Sequence, residues 1–188
     1  MRKQRSKQYF LDAAREIIIT EGAENVTVRR VADLAGYSYP SLYHYFSDLS
    51  ELMWEVRGVM IQELAGALPK RMQNIGNGVE GLKEVFKIYI SYYFENPNVF
   101  KFFNYYSFKK PDSNTGVNTN EPDFHALWND SFKGLVTEGK LKEQEIETVA
   151  KTIIYAVHGM ITLSFSNNAE MTEEHVYKDL EKIIDYLL

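Results

Sequence analysis

The chain has 188 residues, a net charge of −5 at neutral pH and no cysteine. This length accommodates one small module and a larger helical core, and the absence of thiols excludes disulfide cross-links and cysteine metal sites. The first residues do not form an apolar signal segment, and no apolar run has the length of a membrane span. We therefore expect a cytoplasmic protein with no membrane partner.

The charge is distributed unevenly along the chain. Residues 1–30 carry seven Lys or Arg against four acidic residues, a net charge of +3. Residues 51–188 carry 14 basic and 20 acidic residues, a net charge of −6. A positive end on an acidic body attracts nucleic acid to that end and repels it elsewhere. The acidic total therefore does not exclude a DNA-binding protein.

Helical periodicity predicts two helices in the first 36 residues. Residues 2–7 are expected to form a basic arm, and the first helix spans about 6–21. Thr27 is placed to cap the second helix, because its hydroxyl can accept a hydrogen bond from an unpaired N–H group of the first turn. Gly36 ends that helix, since glycine adopts the left-handed conformation without a steric penalty.

A third short helix is predicted after the glycine turn. It begins at Ser38, which can cap it, or within the next two residues, and it ends at Phe46. Leu42 and Phe46 are four residues apart and are placed to enter the core. Two short helices joined by a glycine turn are typical of a helix-turn-helix module, whose second helix enters the DNA major groove.

Six further helices are expected after residue 47, and no strand pattern competes with them. The fourth helix is expected to begin at Asp48, with Glu51 at capping-box spacing, and to kink or end near Gly66 and Pro69. The others are expected to begin, in chain order, near residues 79, 97, 122, 142 and 172. Residues 110–121 are polar and are predicted to be an exposed loop.

A set of residues in the first quarter of the chain resembles the TetR family of transcriptional regulators. The matching residues, between about Phe10 and Leu52, are Asp12-Ala13-Ala14, Glu21-Gly22, Thr27-Val28, Val31-Ala32, Ala35-Gly36, Ser38, Leu42-Tyr43-His44-Tyr45-Phe46 and Leu52. The resemblance implies an all-α fold of about nine helices. A three-helix helix-turn-helix module forms a DNA-binding domain over residues 1–47, and a helical bundle forms a ligand-binding and dimerisation domain over residues 48–188.

The resemblance also implies which residues contact DNA. Thr27, Tyr43 and His44 would touch phosphates, while residues 37–41 and His44 would face base edges. With two plausible phosphate partners added, the predicted set is Thr27, Arg29, Arg30, Tyr37, Ser38, Tyr39, Pro40, Ser41, Tyr43 and His44. The alternative is that Tyr43 and Tyr45 are half-buried core aromatics, and for Tyr43 the matched motif favours the DNA role.

The predicted base-reading segment holds no Arg, Asn or Gln between Tyr37 and Ser41. Bidentate base recognition from this segment is therefore not expected, and specificity would depend on apolar contacts and DNA shape. Leu49 stands where the family usually has a lysine that contacts the DNA backbone. That contact is missing here or is supplied by His44 or the basic arm.

Aromatic residues are dense in the predicted helices four to seven, which by the resemblance enclose a ligand cavity. An apolar pocket with a few hydroxyl groups suits a small apolar or aromatic effector. The predicted lining residues are Trp54, Phe86, Tyr89, Tyr93, Phe100, Phe103, Tyr106, Trp128 and Phe132. Ordinary core packing is the alternative for each of them.

The predicted helices eight and nine are strongly apolar, and we expect them to form a two-fold contact with a second chain. The residues predicted for this seam are Ile153, Ile154, Val157, His158, Ile161, Val176, Leu180, Ile183 and Ile184. The alternative is that both helices are internal. A dimer would present two recognition helices to half-sites about 34–36 Å apart.

The expected function is that of a homodimeric regulator, a repressor, which binds a palindromic operator in double-stranded DNA and is released by a small-molecule effector. The alternatives are a closed pocket controlled by a protein partner, or an activator. An enzyme is the least favoured hypothesis, because the sequence has no Gly-rich phosphate loop and no histidine pair at metal-ligand spacing. No catalytic residue, cofactor or metal is expected.

Overall fold

The structure is a computed structural model that describes residues 2–110, 126–166 and 171–188, without the side chains of residues 2, 3 and 126–130. All regular structure in these ranges is helical, which confirms the predicted all-α fold. The helices are α1 Arg2–Glu21, α2 Val28–Ala35, α3 Tyr39–Leu42, α4 Leu49–Arg71, α5 Gly78–Glu95, α6 Pro97–Tyr105, α7 Ala126–Thr137, α8 Ile146–Phe165 and α9 Glu173–Leu187. Single 3-10 turns occur at Ala23–Asn25 and Glu143–Glu145.

The chain forms two compact units. The first unit comprises residues 1–64 and 96–122, and the second comprises residues 65–95 and 123–188. Helix α4 therefore begins in the first unit and ends in the second. The predicted loop after residue 110 and the predicted start of α7 at Pro122 lie outside the described residues.

The core of the first unit lies where α1 packs against α2 and α6. Phe10 and Ile18 of α1, Leu42 of α3 and Leu52 of α4 are fully buried there. Removing one such side chain from water stabilises the fold by about 1.5–3 kcal/mol. These buried residues fix the position of α3, because Leu42 anchors its only complete turn.

The core of the second unit lies where α5 packs against α7, α8 and α9. The residues predicted for the dimer seam are mostly found here: Ile153, Val157, Ile161, Val176, Leu180 and Ile184 are fully buried within the unit. These six assignments are corrected, because the more apolar stripe of each helix packs on its own chain. Ile154, His158 and Ile183 are half-buried.

Several helix bounds differ from the prediction. Helix α1 begins at Arg2 rather than near residue 6, so the predicted basic arm is helical, as expected for a Lys-, Arg- and Gln-rich segment without a helix breaker. Helix α3 is one turn long and starts at Tyr39. Helix α4 passes Pro69 and ends at Arg71, since a proline interrupts only the hydrogen bond to the preceding turn.

The start of α4 shows the predicted capping interaction with one change. The Oδ1 atom of Asp48 accepts a hydrogen bond from the Glu51 N–H group at 2.9 Å. The Glu51 carboxylate reaches the N–H group of Ser47 at 2.6 Å, one residue before the position that a capping box uses. The acidic residue at position 51 therefore fixes the turn between α3 and α4.

Residues Glu143–Phe165 form a helix that is long and apolar enough to cross a membrane by length and composition. This differs from the expectation that no run has that length. A core helix of a folded domain meets the same criterion, and one face of α8 packs inside the second unit through Ile153, Val157 and Ile161.

Candidate DNA-binding face and regulatory core

Helix α2 is defined at both ends by the predicted residues. The Thr27 hydroxyl accepts a hydrogen bond from the N–H group of Arg30 at 3.3 Å. Gly36 has φ 75°, in the left-handed region that favours glycine. The next N–H group, that of Tyr37, donates to the carbonyl of Ala32 at 2.9 Å. The glycine turn between α2 and α3 is thus closed by hydrogen bonds.

Helix α3 and the turn after it separate buried from exposed side chains as predicted. Leu42 and Phe46 are 0% and 1% exposed, whereas Tyr39 and Tyr43 are 53% and 52% exposed. His44 is exposed as well. Exposed aromatic side chains that lie close together on one face can form a contact surface. The exposed face of α3, defined here as residues 38–44 without Leu42, is the candidate DNA-binding face.

The serines of this face differ in detail from the prediction. The Ser38 hydroxyl does not accept a hydrogen bond from the first turn of α3. It lies 2.8 Å from the hydroxyl of Ser41 instead. Ser38 and Pro40 are exposed and Ser41 is half-buried. The two hydroxyl groups therefore form a small polar patch beside Tyr39.

Tyr37 and Tyr45 orient α3 from within. The Tyr37 hydroxyl donates to Ser6 at 3.0 Å, and its ring lies 5.1 Å from that of Phe10. The Tyr45 ring lies 5.5 Å from Phe10 on the other side. Both tyrosines are half-buried, so the core alternative stated for Tyr45 is correct. Tyr37, predicted to face DNA, holds the start of α3 against α1.

The cationic side chains near the exposed face of α3 are not equivalent. Arg29 and Arg30 are both exposed, but Arg30 pairs with Glu21 at 2.5 Å and donates to the carbonyl of Asn25 at 3.1 Å. Lys7 pairs with Glu55 at 2.6 Å and lies 5.2 Å from the ring of Phe46. Lys7 is thus engaged within the first unit.

Residues 10–56 match the model of the bacterial regulatory proteins of the tetR family. Residues 10–56 therefore carry the DNA-binding domain of a TetR-family transcriptional regulator. The match covers the helix-turn-helix and the start of α4, the same segment that carries the capping threonine, the glycine turn and the exposed face of α3. No curated protein matches this chain by sequence.

Solved structures extend the similarity of this chain in fold beyond the helix-turn-helix. RolR in complex with resorcinol has a TM-score of 0.63 at 12% identity, with 97% of this chain and 88% of that chain covered. The fatty acid degradation regulator FadR from Bacillus halodurans has a TM-score of 0.61 at 13% identity, with 95% and 94% covered. PfmR from Thermus thermophilus has a TM-score of 0.58 at 20% identity, with 93% and 96% covered. These likenesses show a shared fold.

The aromatic residues predicted to line one pocket are divided between the two units of this regulator. Trp54, Phe100, Phe103 and Tyr106 belong to the first unit, and Phe86, Tyr89, Tyr93 and Phe132 belong to the second. The side chain of Trp128 lies outside the described residues. Trp54, at 9% exposed, and the other residues of α4, α5 and α7 in this set are buried.

The aromatic cluster of the first unit includes a cation. Phe108 lies 6.3 Å from Trp54 and 4.9 Å from Tyr106, measured between ring centroids. The guanidinium of Arg57 lies 5.5 Å from the ring of Trp54 and 5.1 Å from that of Phe108. Contacts of this kind are attractive because the face of an aromatic ring is negative. Sequence reasoning missed Arg57, although its spacing of three from Trp54 on one helix was a usable signal.

The second unit contains a buried polar network. The Tyr89 hydroxyl lies 2.8 Å from Nε2 of His158, and the two rings are stacked with centroids 5.9 Å apart. The Tyr93 ring meets that of Tyr89 edge-on at 5.0 Å. His158 was predicted for the dimer seam, and the structure joins it instead to a residue 69 positions earlier. No local signal in the sequence indicates this pairing.

Burial disfavours the charged forms of all three side chains in this network. It raises the pKa of Tyr89 to about 12, raises the pKa of Tyr93 well above its ordinary value, and lowers the pKa of His158. In each case the cause is desolvation of the charged form. Neutral hydroxyl and imidazole groups within an apolar core can form hydrogen bonds to an uncharged polar group of a ligand.

Proposed function

We propose that this protein is a cytoplasmic, homodimeric repressor that binds a palindromic operator in double-stranded DNA. A small apolar or aromatic effector would release it from that operator. In this proposal residues 1–47 form the DNA-binding domain and residues 48–188 form the ligand-binding and dimerisation domain. The observation that carries the proposal is the exposed face of α3, where Tyr39 and, in the turn after the helix, Tyr43 and His44 are exposed. Leu42 and Phe46 anchor this segment in the core.

The proposed DNA contacts follow from exposure and chemistry. Thr27, Arg29, Tyr43 and His44 would bind phosphates and position the protein on the duplex. The side chains that would contact base edges are those of Ser38, Tyr39, Pro40 and Ser41. A bidentate side chain–base pair contributes about 1–3 kcal/mol of discrimination, and this segment offers none. Much of the specificity would therefore come from thymine methyl contacts and from DNA shape.

The proposed dimer uses the outer face of α8. Tyr155 and Leu163 are 68% and 51% exposed, and Gly159 between them is exposed as well. These residues recur every four positions and form one stripe. Only 28% of the apolar window in this helix is buried within the chain. An exposed apolar stripe opposite a buried one is typical of a helix that packs on a second copy.

The proposed effector chemistry is supported by the aromatic clusters and by the neutral Tyr89–His158 pair. Two proteins of similar fold are named for effectors or pathways of this kind, one bound to resorcinol and one regulating fatty acid degradation. We propose an uncharged or weakly polar effector with an aromatic or aliphatic body, whose hydroxyl or carbonyl group would bind Tyr89 or His158.

One observation favours the alternative of a closed core. The rings of the first-unit cluster pack on one another, with Phe102 and Phe108 only 5.0 Å apart, which is ordinary core packing. In that case a protein partner would control the regulator. Mass spectrometry of the purified protein under native conditions distinguishes the effector-binding core from the closed core. A copurifying small molecule would support an effector. A chain that carries no ligand, and that binds none of a set of aromatic compounds and fatty acids, would support the closed core.

Selection of binding sites from random duplex DNA tests the proposed function. We expect a palindromic consensus with half-site centres one helical turn apart, and an affinity that falls linearly with the logarithm of salt concentration. A matched scrambled duplex is the control. Equal affinity for the consensus and the scrambled duplex would contradict the proposal.

A further inference from the structure

The two described connections between the compact units are both fastened to α1. Within the described residues the chain passes from one unit to the other inside α4, after Leu64, and again between Glu95 and Asn96. Helix α1 belongs wholly to the first unit and carries the packing that orients α3. A contact between α1 and either connection would therefore link the head, defined as residues 1–47, to the segments that lead to the second unit.

The first connection is held by an ion pair. The Nε atom of Arg15 lies 2.5 Å from the Oε2 atom of Glu63, and Glu63 is the residue immediately before Leu64, at the crossing. A second pair, Lys7 with Glu55, lies eight residues earlier on both helices. Both ion pairs join α1 to α4, and the partners are 48 residues apart in each. Only the pair of Arg15 with Glu63 lies at the crossing.

The second connection is held by a hydrogen bond. The side-chain amide of Asn98 donates to the carbonyl of Ile19 at 3.0 Å. Asn98 follows the crossing by two residues and lies in the first turn of α6. The carbonyl of Ile19 is in the last turn of α1, where backbone acceptors have no partner within the helix. Asn98 thus caps α1 from the segment that joins the second unit.

A second asparagine bonds to the same last turn of α1 from within the head. The side-chain amide of Asn25 donates to the carbonyl of Glu21 at 2.7 Å. Asn25 ends the 3-10 turn that follows α1. Both asparagines therefore cap the last turn of α1. Only Asn98 lies next to a point where the chain passes between the units.

We propose that the last two turns of α1 are the coupling element of this regulator, with Asn98 and the Arg15–Glu63 pair as its positioning residues. A displacement of either crossing moves α1 directly, and α3 moves with α1 because Phe10 and Tyr37 pack together. Helix α4 is then one of two routes by which the state of the second unit reaches the exposed face of α3. This inference rests on the proposed function, since it concerns how that function is regulated.

Distance measurements on spin-labelled protein test this coupling. The chain contains no cysteine, so Asp33→Cys and Lys178→Cys, both at exposed positions, give two unique labels in opposite units. Dilution with unlabelled chain restricts the measurement to distances within one chain. We expect the distance distribution to be broader after Asn98→Ala or Glu63→Gln than in the parent protein.

Matched controls separate coupling from simple stability. Asn25→Ala removes a cap of the same helix end, and Glu55→Gln removes an ion pair of the same type and charge away from the crossing. Both should leave the distance distribution unchanged, although Asn25→Ala should lower the melting temperature about as much as Asn98→Ala. Circular dichroism establishes that each variant folds, and Glu63→Gln, at an exposed position, serves if Asn98→Ala does not fold.

The operator selected with the parent protein gives a second readout. Loss of the Asn98 bond should weaken operator binding about fivefold, the ratio expected for one ordinary hydrogen bond, while Asn25→Ala should not change it. Unchanged distributions in Asn98→Ala and Glu63→Gln, or equal broadening in the controls, would overturn the inference. Failure of the parent protein to bind any selected DNA would instead contradict the proposed function.

Discussion

Two surfaces of this protein expose large tyrosines, and their neighbours differ. On α3, Tyr39 and Tyr43 stand beside hydroxyl groups and a histidine, whereas on α8, Tyr155 stands beside Gly159 and Leu163. Hydroxyl and imidazole groups can satisfy phosphates and base edges. A glycine and a leucine can only be covered by another apolar surface. Under the proposed function, the same residue type would therefore contact DNA on one helix and a second copy of the chain on the other.

The largest effect is expected from a charge on α8. Tyr155→Asp should prevent dimerisation, because an unpaired buried charge costs about 3–5 kcal/mol, and operator affinity should fall by a factor of about 100 or more. Size-exclusion chromatography with light scattering gives the oligomeric state. Tyr105→Asp, at an exposed tyrosine of the first unit, is the control. A Tyr155→Asp variant that remains dimeric would show that the exposed stripe of α8 is not the dimer interface.

Removing a hydroxyl group from α3 tests the DNA side of the comparison. Tyr43→Phe should weaken operator binding about tenfold, since a hydrogen bond to a charged group contributes about 1.5–3 kcal/mol, and it should leave the dimer intact. Fluorescence anisotropy with labelled operator gives the affinity. Tyr9→Phe, also an exposed tyrosine of the head, is the control. An unchanged affinity in Tyr43→Phe would mean that this hydroxyl does not touch DNA.

The two arginines of α2 should differ in their effect on salt dependence. Arg29→Gln should reduce the slope of log affinity against log salt by about 1, the loss of one phosphate contact. Arg30→Gln should reduce it less, because Arg30 is engaged with Glu21. Titrations at four salt concentrations measure both slopes. The opposite ranking would show that the Glu21 pair opens when DNA binds.

The smallest effect is expected at the inner side of α8. Burial lowers the pKa of His158 from 6.5, so the unfolded chain takes up this proton more readily than the folded chain. The stability that His158 contributes is present above the unfolded-state pKa and is lost as the pH falls below it. His158→Gln should therefore flatten the decline in melting temperature between about pH 7 and pH 5.

Much of the head could be predicted because its determinants are local. Thr27 bonds to a residue three positions away, and Gly36 is defined by its own backbone conformation. Leu42 and Phe46 are four residues apart and are both buried in the core of the first unit. Signals of this range are visible in a short window of sequence.

The packing outside the helix-turn-helix could be predicted only in part, because its contacts are long-range. Periodicity finds two stripes on α8, one through Ile153 and Val157 and one through Tyr155 and Leu163, but it does not tell which stripe packs on the same chain. The structure shows that the more apolar stripe does. The pairing of Tyr89 with His158 and that of Lys7 with Glu55 join residues 69 and 48 positions apart, and no local pattern specifies them.

The central claim is that the exposed face of α3 reads duplex DNA as one of a pair. Titration of the purified chain against the selected palindrome, with one half-site then scrambled, tests it most directly. We expect two chains to bind each intact duplex. Scrambling one half-site should lower the affinity about 100-fold or more, because each mismatched base pair costs about 1–3 kcal/mol. One chain per duplex, or equal affinity for both duplexes, would contradict it.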